Sequence, residues 1–366
     1  MQMLEPGQKI RPRLSRQEAV TMVRRLYGLE DVTIEELNGY DDKNYHVQIC
    51  AGSKKPQIWP HGYVLKVTNS LDSEKLPLVE GQIEIALYLG TRGINCPQPV
   101  KNLSGNYYSL EELTHEGVDR KRHVVRMLTY QPGQLLNTAP CTQNLMFKVG
   151  KFLGQMDRVL RGFRNPAYDN AKSIWSLECA PSLTKFTFAV KDVDKNDLVN
   201  KVIDAFGRDV LPIVHTLEKG MIHGDFNDQN VVVGPDPVDG SWDVTAVLDF
   251  GDTQLSCYVF ELAITVCYVM LLASDLNPLD AAGHVIAGYS MVRPLPDVEF
   301  NILKVCVSAR LCQSLVMGAY SYQQDPKNEY LIITSQRGWN VLRLLWNTPQ
   351  SDLINRWRKT VPLYKT

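Results

Sequence analysis

Two short acidic motifs, one at each end of a hairpin-length interval, constrain this chain more than any other feature of its sequence. The first is Met221-Ile222-His223-Gly224-Asp225-Phe226-Asn227-Asp228-Gln229-Asn230, and the second is Val247-Leu248-Asp249-Phe250-Gly251-Asp252. Each stands just beyond an apolar, strand-like segment. Between them lie Val231-Val232-Val233, a Gly-Pro-Asp-Pro-Val-Asp-Gly turn and the strand-like run Val244 to Leu248, so the interval reads as a hairpin that returns Asp249 to the place where the first loop ended. Asp-Phe-Gly alone is common, and His-x-Asp commoner still. Their conjunction in this order and at this separation matches the requirement of phosphoryl transfer. An aspartate receives the proton of an attacking hydroxyl, an asparagine five residues on reaches a metal from the loop's other end, and a second aspartate bridges that metal to phosphates. Asp225 is thus the candidate base, Asn230 and Asp249 are the candidate Mg2+ ligands, and His223 is read as a structural brace of the loop.

Transferred phosphates also require a cation, and one strand supplies it. In Tyr63-Val64-Leu65-Lys66-Val67 the period of two puts Lys66 on a face with Val64. The helix expected from Leu78 to Gly93 carries Glu80, with Glu84 one turn later as the alternative partner for that lysine. The polar turn Gly39 to Asn44 joins two further strands, expected over Val32 to Leu37 and Tyr45 to Cys50, and would cover the phosphates with Tyr40, Asp42 and Asn44. Its single glycine, where protein kinases carry Gly-x-Gly-x-x-Gly, disfavours a protein kinase.

The rest of the chain divides around these motifs. A Ser15-x-x-Glu18 capping box opens the first helix, so residues 1–14 are read as an extension outside the ordered domain. Strands expected around Tyr107 to Leu113 and His123 to Tyr130 complete a nucleotide-binding sheet plus helix over 15–130. Gln131-Pro132-Gly133 breaks the pattern, and helical periodicities then dominate 131–366, including Val202 to Leu217, Ile302 to Ala319 and Tyr330 to Leu345. The expected class is α+β and bilobal, with an antiparallel-sheet N-lobe and a mainly helical C-lobe holding the catalytic loops and the acceptor site. Met127, Leu128 and Thr129, where the chain crosses between lobes, are the candidates for reading a base edge through their backbone groups.

Composition removes several partners. Lys plus Arg total 39 against 40 for Asp plus Glu, which leaves no basic excess for nucleic acid or anionic membrane. The eight cysteines include no Cys-x-x-Cys pair, which points to a reducing compartment rather than structural zinc. The N-terminal MQMLEPGQKIRPR lacks the apolar core of a secretory signal. The apolar run Leu255 to Ala273 contains Glu261 and is expected to be a buried core helix rather than a membrane span.

These motifs, with the glycine-poor hairpin Tyr40-Asp41-Asp42-x-Asn44 and the segments Tyr258-Val259-Phe260-Glu261 and Cys312-Gln313-Ser314-Leu315, resemble the aminoglycoside phosphotransferase and choline kinase family. The likeness covers nearly the whole chain from about Ser15. It implies a soluble, cytoplasmic, magnesium-dependent kinase with the protein-kinase-like fold of that family. It further implies GTP rather than ATP as donor and 5-hydroxy-L-lysine, a small amino alcohol of lysine catabolism, as acceptor. Such an acceptor needs carboxylates for its ammonium groups and a cation for its carboxylate, for which Asp228, Glu261 and Arg310 are candidates. Glu261 reads more readily as a buried brace than as an acceptor contact, and Asp252 as a brace of the metal loop. The alternatives are a kinase for another small alcohol (homoserine, choline, an aminoglycoside or a methylthiosugar) and a catalytically silent kinase-like binding module.

Overall fold

The computed structural model describes residues 3–50, 59–115, 119–327 and 333–364. The chain separates into two compact units, Gln2–Pro132 and Gly133–Thr366.

In the first unit, helix α1 (Arg16–Tyr27) begins at the Ser15/Glu18 capping box and ends at Gly28 in the left-handed conformation. Strands β1 (Val32–Leu37), β2 (Lys43–Ile49) and β3 (Tyr63–Val67) follow, then α2 (Ser70–Ser73), α3 (Leu76–Gly90), β4 (Pro99–Val100), β5 (Ser109–His115) and β6 (Asp119–Thr129). They form one antiparallel sheet in the order β1-β2-β3-β6-β4, with β5 paired to β6. Alternation decides its two faces. Tyr45, Val47, Leu65, Val67, Val125 and Met127 pack against Ala19, Met22 and Val23 of α1, so Lys66, one residue out of phase, faces the opposite way. On that side Val124 meets Val79 and Ile83 of α3. Removing a buried side chain such as Leu65 by mutation to Ala would cost about 2–5 kcal/mol. The segment ahead of α1, set apart by the sequence reading, lies against the unit. Leu14 is buried, its carbonyl accepts the Tyr45 hydroxyl at 2.5 Å, and the Ile10 carbonyl accepts the Ser70 N–H at 2.9 Å.

The second unit contains β7 (Gln134–Leu135), α4 (Gln143–Leu160), α5 (Val193–Ala205), β8 (Lys219–Ile222), β9 (Val231–Pro235), β10 (Trp242–Val247), β11 (Gln254–Cys257), α6 (Tyr258–Leu272), α7 (Pro278–Ser290), α8 (Asp297–Gln324), α9 (Ile333–Asn347) and α10 (Gln350–Thr360). Strands β10, β9 and β7 make one small sheet, and β11 pairs with β8. The helix expected over Val202 to Leu217 is α-helical only to Ala205 and continues as a π-helical turn (Phe206–Val210) and a 3-10 stretch (Leu211–Thr216). Pro212 lies within that span and brings no N–H to an i→i−4 ladder. The expected start of α9 at Tyr330 lies outside the described residues.

The apolar run from Leu255 divides between β11 and α6, and Glu261 sits fully buried on α6. Among the described residues α8 has the length and hydropathy of a membrane span, and most of that stretch is covered by the rest of the chain. Helices α4 and α7 approach closely enough for backbone contact because glycines face each other. A Cβ on Gly150 would stand 1.9 Å from the Val285 carbonyl oxygen, and one on Gly288 would stand 1.9 Å from that of Phe147.

Candidate active site

The hairpin of β9 and β10 accounts for the spacing of the two motifs. Val231 pairs with Val247, and the Leu248 N–H donates to the Asn230 carbonyl at 2.7 Å, so the loop ending at Asn230 and the loop beginning at Asp249 leave the sheet together. His223 joins them from below. The Leu248 carbonyl can only accept, so the imidazole Nε2 at 2.8 Å carries the proton, and Nδ1 accepts the Asp225 N–H at 3.2 Å. Burial pushes the His223 imidazole down to about 4, so it is neutral at physiological pH and braces the loop.

Asp225 lies at the centre. Its Oδ2 accepts the side-chain amides of Asn227 and Asn230, each at 2.9 Å. Its Oδ1 accepts Nη2 of Arg310 at 2.6 Å. Burial holds its carboxyl above the ordinary aspartate range, the Arg310 guanidinium and the Asn227 amide pull it back, and the Asp249 charge nearby raises it further. Asn227 also gathers the loop, its Oδ1 accepting the N–H groups of Gln229 and Asn230 at 2.8 and 3.0 Å. The sequence reading passed over this residue, although an asparagine two positions after the base, able to cap the turn that follows, was a legible signal.

Asn230 spends its Nδ2 on Asp225, which leaves its Oδ1 as a neutral oxygen donor. Asp249 has φ of 57°, alone among the described non-glycine residues in having positive φ, and its Oδ1 accepts the Gly251 N–H at 3.0 Å. Such strain gathers at functional sites. An amide oxygen and a carboxylate are hard donors that fit Mg2+, which takes one or two protein ligands and completes its octahedron with phosphates and water.

The three acceptor candidates separate. Glu261 points into the fold, where its Oε2 accepts the Gly224 N–H at 2.8 Å, and burial raises its carboxyl well above the usual range. Arg310 is committed to Asp225, where it meets the base rather than an acceptor's carboxylate. The buried Gly224 N–H and the partly exposed Asp225 carboxylate of the catalytic loop take these two side chains as partners. Asp228 keeps its place in the loop, its carboxyl pushed up to about 7 by burial and then by the Asp225 charge, with no cation paired to it among the described residues. Asp252 accepts the Ser173 hydroxyl at 3.4 Å.

Within the first unit Lys66 is buried, and its ammonium lies 3.0 Å from Asp42. Glu80, the expected partner, instead accepts the Tyr108 hydroxyl at 3.1 Å. The hairpin tip thus brings a carboxylate to Lys66, and Asp42 is anchored in turn by the Asn69 N–H and side-chain amide at 2.8 and 3.0 Å. Tyr40 lies in the same tip, and Asn44 closes it by donating to the Asn38 carbonyl at 3.3 Å.

Met127 does not offer an edge. Its side chain is in the α1-facing core and its backbone is paired with Val100. Thr129 is half suited. Its N–H donates to the Gln98 carbonyl at 2.9 Å, but the Gln98 N–H goes to its hydroxyl at 2.8 Å. Toward β3, the bonded pairs are Thr68 with Val124 and Gly62 with Tyr130, which makes Tyr63 and Thr129 a non-bonded pair. The Thr129 carbonyl thus stays outside the ladder.

An antiparallel-sheet unit and a mainly helical unit whose catalytic loop lies between β8 and β9 and whose metal loop follows β10 define a phosphotransferase. The model of the phosphotransferase enzyme family matches residues 33–295, and the chain belongs to that family. A hydroxylysine kinase from Xenopus laevis is 35% identical over 97% of this chain and 96% of its own, and the chain is a small-molecule kinase similar to it from end to end. Among solved structures, a microcompartment-associated aminopropanol kinase superposes with a TM-score of 0.67 at 17% identity, covering 92% of this chain and 99% of its own. An amicoumacin kinase in complex with AMP-PNP, Ca2+ and Ami gives 0.65 at 16%, covering 92% and 95%.

Proposed function

We propose that this kinase transfers the γ-phosphate of GTP to the hydroxyl of 5-hydroxy-L-lysine, giving 5-phosphooxy-L-lysine and GDP, in cytoplasmic lysine catabolism. The observation that carries the acceptor class is that one loop carries both Asp225 and Asp228. One carboxylate is held by three donors and keeps a position open for a hydroxyl; the other lies close enough to feel its charge and has no counter-cation among the described residues. An alcohol with an ammonium group on the next carbon satisfies both at once, its hydroxyl on Asp225 and its cation on Asp228. Hydroxylysine is such an alcohol, and the end-to-end likeness to hydroxylysine kinases supports it.

The residues divide the work. Asp225 orients the hydroxyl and receives its proton. Asn230 and Asp249 would hold magnesium, which when bound neutralises the phosphate oxygens. Asn227 and His223 keep the loop in shape. In the first unit, Lys66 supplies a phosphate-binding ammonium and the Thr129 carbonyl an acceptor for a purine edge. The preference for GTP rests on likeness alone. A coupled assay of nucleoside diphosphate release, with GTP and ATP against hydroxylysine, homoserine, choline and 1-amino-2-propanol, tests the reading. Hydroxylysine with GTP should be the best pair, and turnover of the other alcohols with none of hydroxylysine would refute the acceptor assignment.

A further inference from the structure

A carboxylate has about four lone-pair positions, and three of those on Asp225 are filled. Oδ2 is saturated by the amides of Asn227 and Asn230. Oδ1 accepts only Nη2 of Arg310, so the one open position lies on Oδ1, next to the guanidinium. Arg310 keeps 2% of its side chain exposed and Asp225 keeps 22%. The guanidinium is thus buried, while the Asp225 side chain it holds stays partly open to solvent. The guanidinium is itself fixed. Its Nη1 donates to the Trp175 carbonyl at 3.0 Å, and the Trp175 and Tyr268 rings lie 5.3 and 5.5 Å from its central carbon. A planar fork held by two acceptors and two rings has one orientation.

We propose that Arg310 is a positioning residue that makes Oδ1 of Asp225 the oxygen receiving the acceptor's proton and fixes its direction toward the incoming hydroxyl. In the transfer step the acceptor's O–H bond breaks and its proton passes to Oδ1. The acceptor oxygen forms a bond to the γ-phosphorus, and the bond from that phosphorus to the bridging oxygen breaks, leaving the nucleoside diphosphate. A lysine at 310 would keep the charge but not the fork, so it could not hold the Trp175 carbonyl and Oδ1 in the same plane. The inference rests on Asp225 being the base, and not on which alcohol is the acceptor.

The test compares Asp225→Asn, Arg310→Lys and Arg310→Ala in the holoenzyme with magnesium, nucleotide and whichever alcohol the wild type turns over, after thermal unfolding has shown which variants fold. Arg310→Lys should lower kcat by about 10²-fold while the nucleotide KM stays within about twofold, as expected when orientation rather than binding is lost. Arg310→Ala should fall at least as far and regain about tenfold in kcat on adding millimolar methylguanidinium, which should leave the wild type unchanged. If Arg310→Ala does not fold, Arg310→Lys alone decides. A kcat for Arg310→Lys within about threefold of wild type, a loss confined to KM, or a folded Arg310→Ala indifferent to methylguanidinium would overturn the inference. Full turnover in Asp225→Asn would instead remove the base assignment beneath it.

Discussion

Asn230 donates its side-chain amide twice to Asp225, to the main-chain carbonyl and to the carboxylate Oδ2, at 2.9 Å each. The candidate metal ligand thereby also sets the candidate base, and the two functions can be separated by mutation. Asp225→Asn should lower kcat by about 10²-fold or more and leave nucleotide affinity nearly unchanged. Asn230→Ala should lower kcat and also raise the magnesium concentration needed for half-maximal activity. A magnesium titration of both variants checks this, and an unshifted midpoint for Asn230→Ala would count against its place at the metal.

Glu261 and Gly224 form the hidden support of the loop. Gly224 has φ of 82°, and a Cβ there would stand 2.1 Å from the Asp252 carbonyl oxygen. Gly224→Ala should therefore lose about 2–4 kcal/mol through backbone strain and displacement of the metal loop. Glu261→Leu leaves the Gly224 N–H buried without an acceptor and should lose about 1–3 kcal/mol, whereas Glu261→Gln keeps an oxygen there and should lose less. Urea midpoints rank the three variants, and a Leu variant as stable as the Gln variant would show that the bond at 2.8 Å is dispensable.

The pairing of Lys66 with Asp42 gives a prediction that distinguishes the structure from the sequence reading. Lys66→Met should lower kcat/KM for the nucleotide by about 10²-fold, as for loss of a phosphate-binding cation. Asp42→Asn keeps an acceptor for Asn69 but loses the charge beside Lys66, and should impair nucleotide use more than Glu80→Gln does. Steady-state kinetics in nucleotide decide it. The reverse order would return the helix carboxylate to the role.

What the sequence revealed and what it hid follow from range. Asp225, Asn230 and Asp249 were legible because a loop and a hairpin fix their spacing locally, and the β3 lysine because strand period alone sets its face. The antiparallel sheet and the helical region after it followed from the same periodicities. The partners of Lys66, Arg310 and Glu261 were not legible. Asp42 meets Lys66 through a hairpin tip, Arg310 reaches Asp225 from α8, and Glu261 reaches Gly224 from α6, all contacts between distant segments that no local spacing encodes. Tertiary packing sets each of these contacts. For Thr129 the sequence named the residue but not the group, since only the ladder's alternation decides which of its backbone groups remains outside the sheet.

Asp157 on α4 makes stability depend on pH. Its Oδ2 accepts the Tyr289 hydroxyl at 2.7 Å, and burial pushes its carboxyl from 3.8 up to about 7. Because the folded value lies above the unfolded one, the folded protein retains a proton that the unfolded chain releases, so this residue's contribution to stability falls as pH rises from about 4 to about 7. Asp157→Asn cannot ionise and should flatten that slope. Urea midpoints at about pH 5 and pH 8 should fall less in the variant than in wild type; equal slopes would show that Asp157 does not carry the effect.

The central claim is that Asp225 activates a carbon-borne hydroxyl beside an ammonium group, and the position of the phosphate in the product tests it most directly. Phosphorus and proton NMR of a reaction with GTP, magnesium and 5-hydroxy-L-lysine should show one new phosphate ester coupled to the C5 proton, formed in step with GDP. L-lysine, which offers Asp225 no proton and the phosphorus no oxygen nucleophile, should give no phosphorylated product. A phosphate on nitrogen, or no ester from hydroxylysine while another alcohol is converted, would contradict the account.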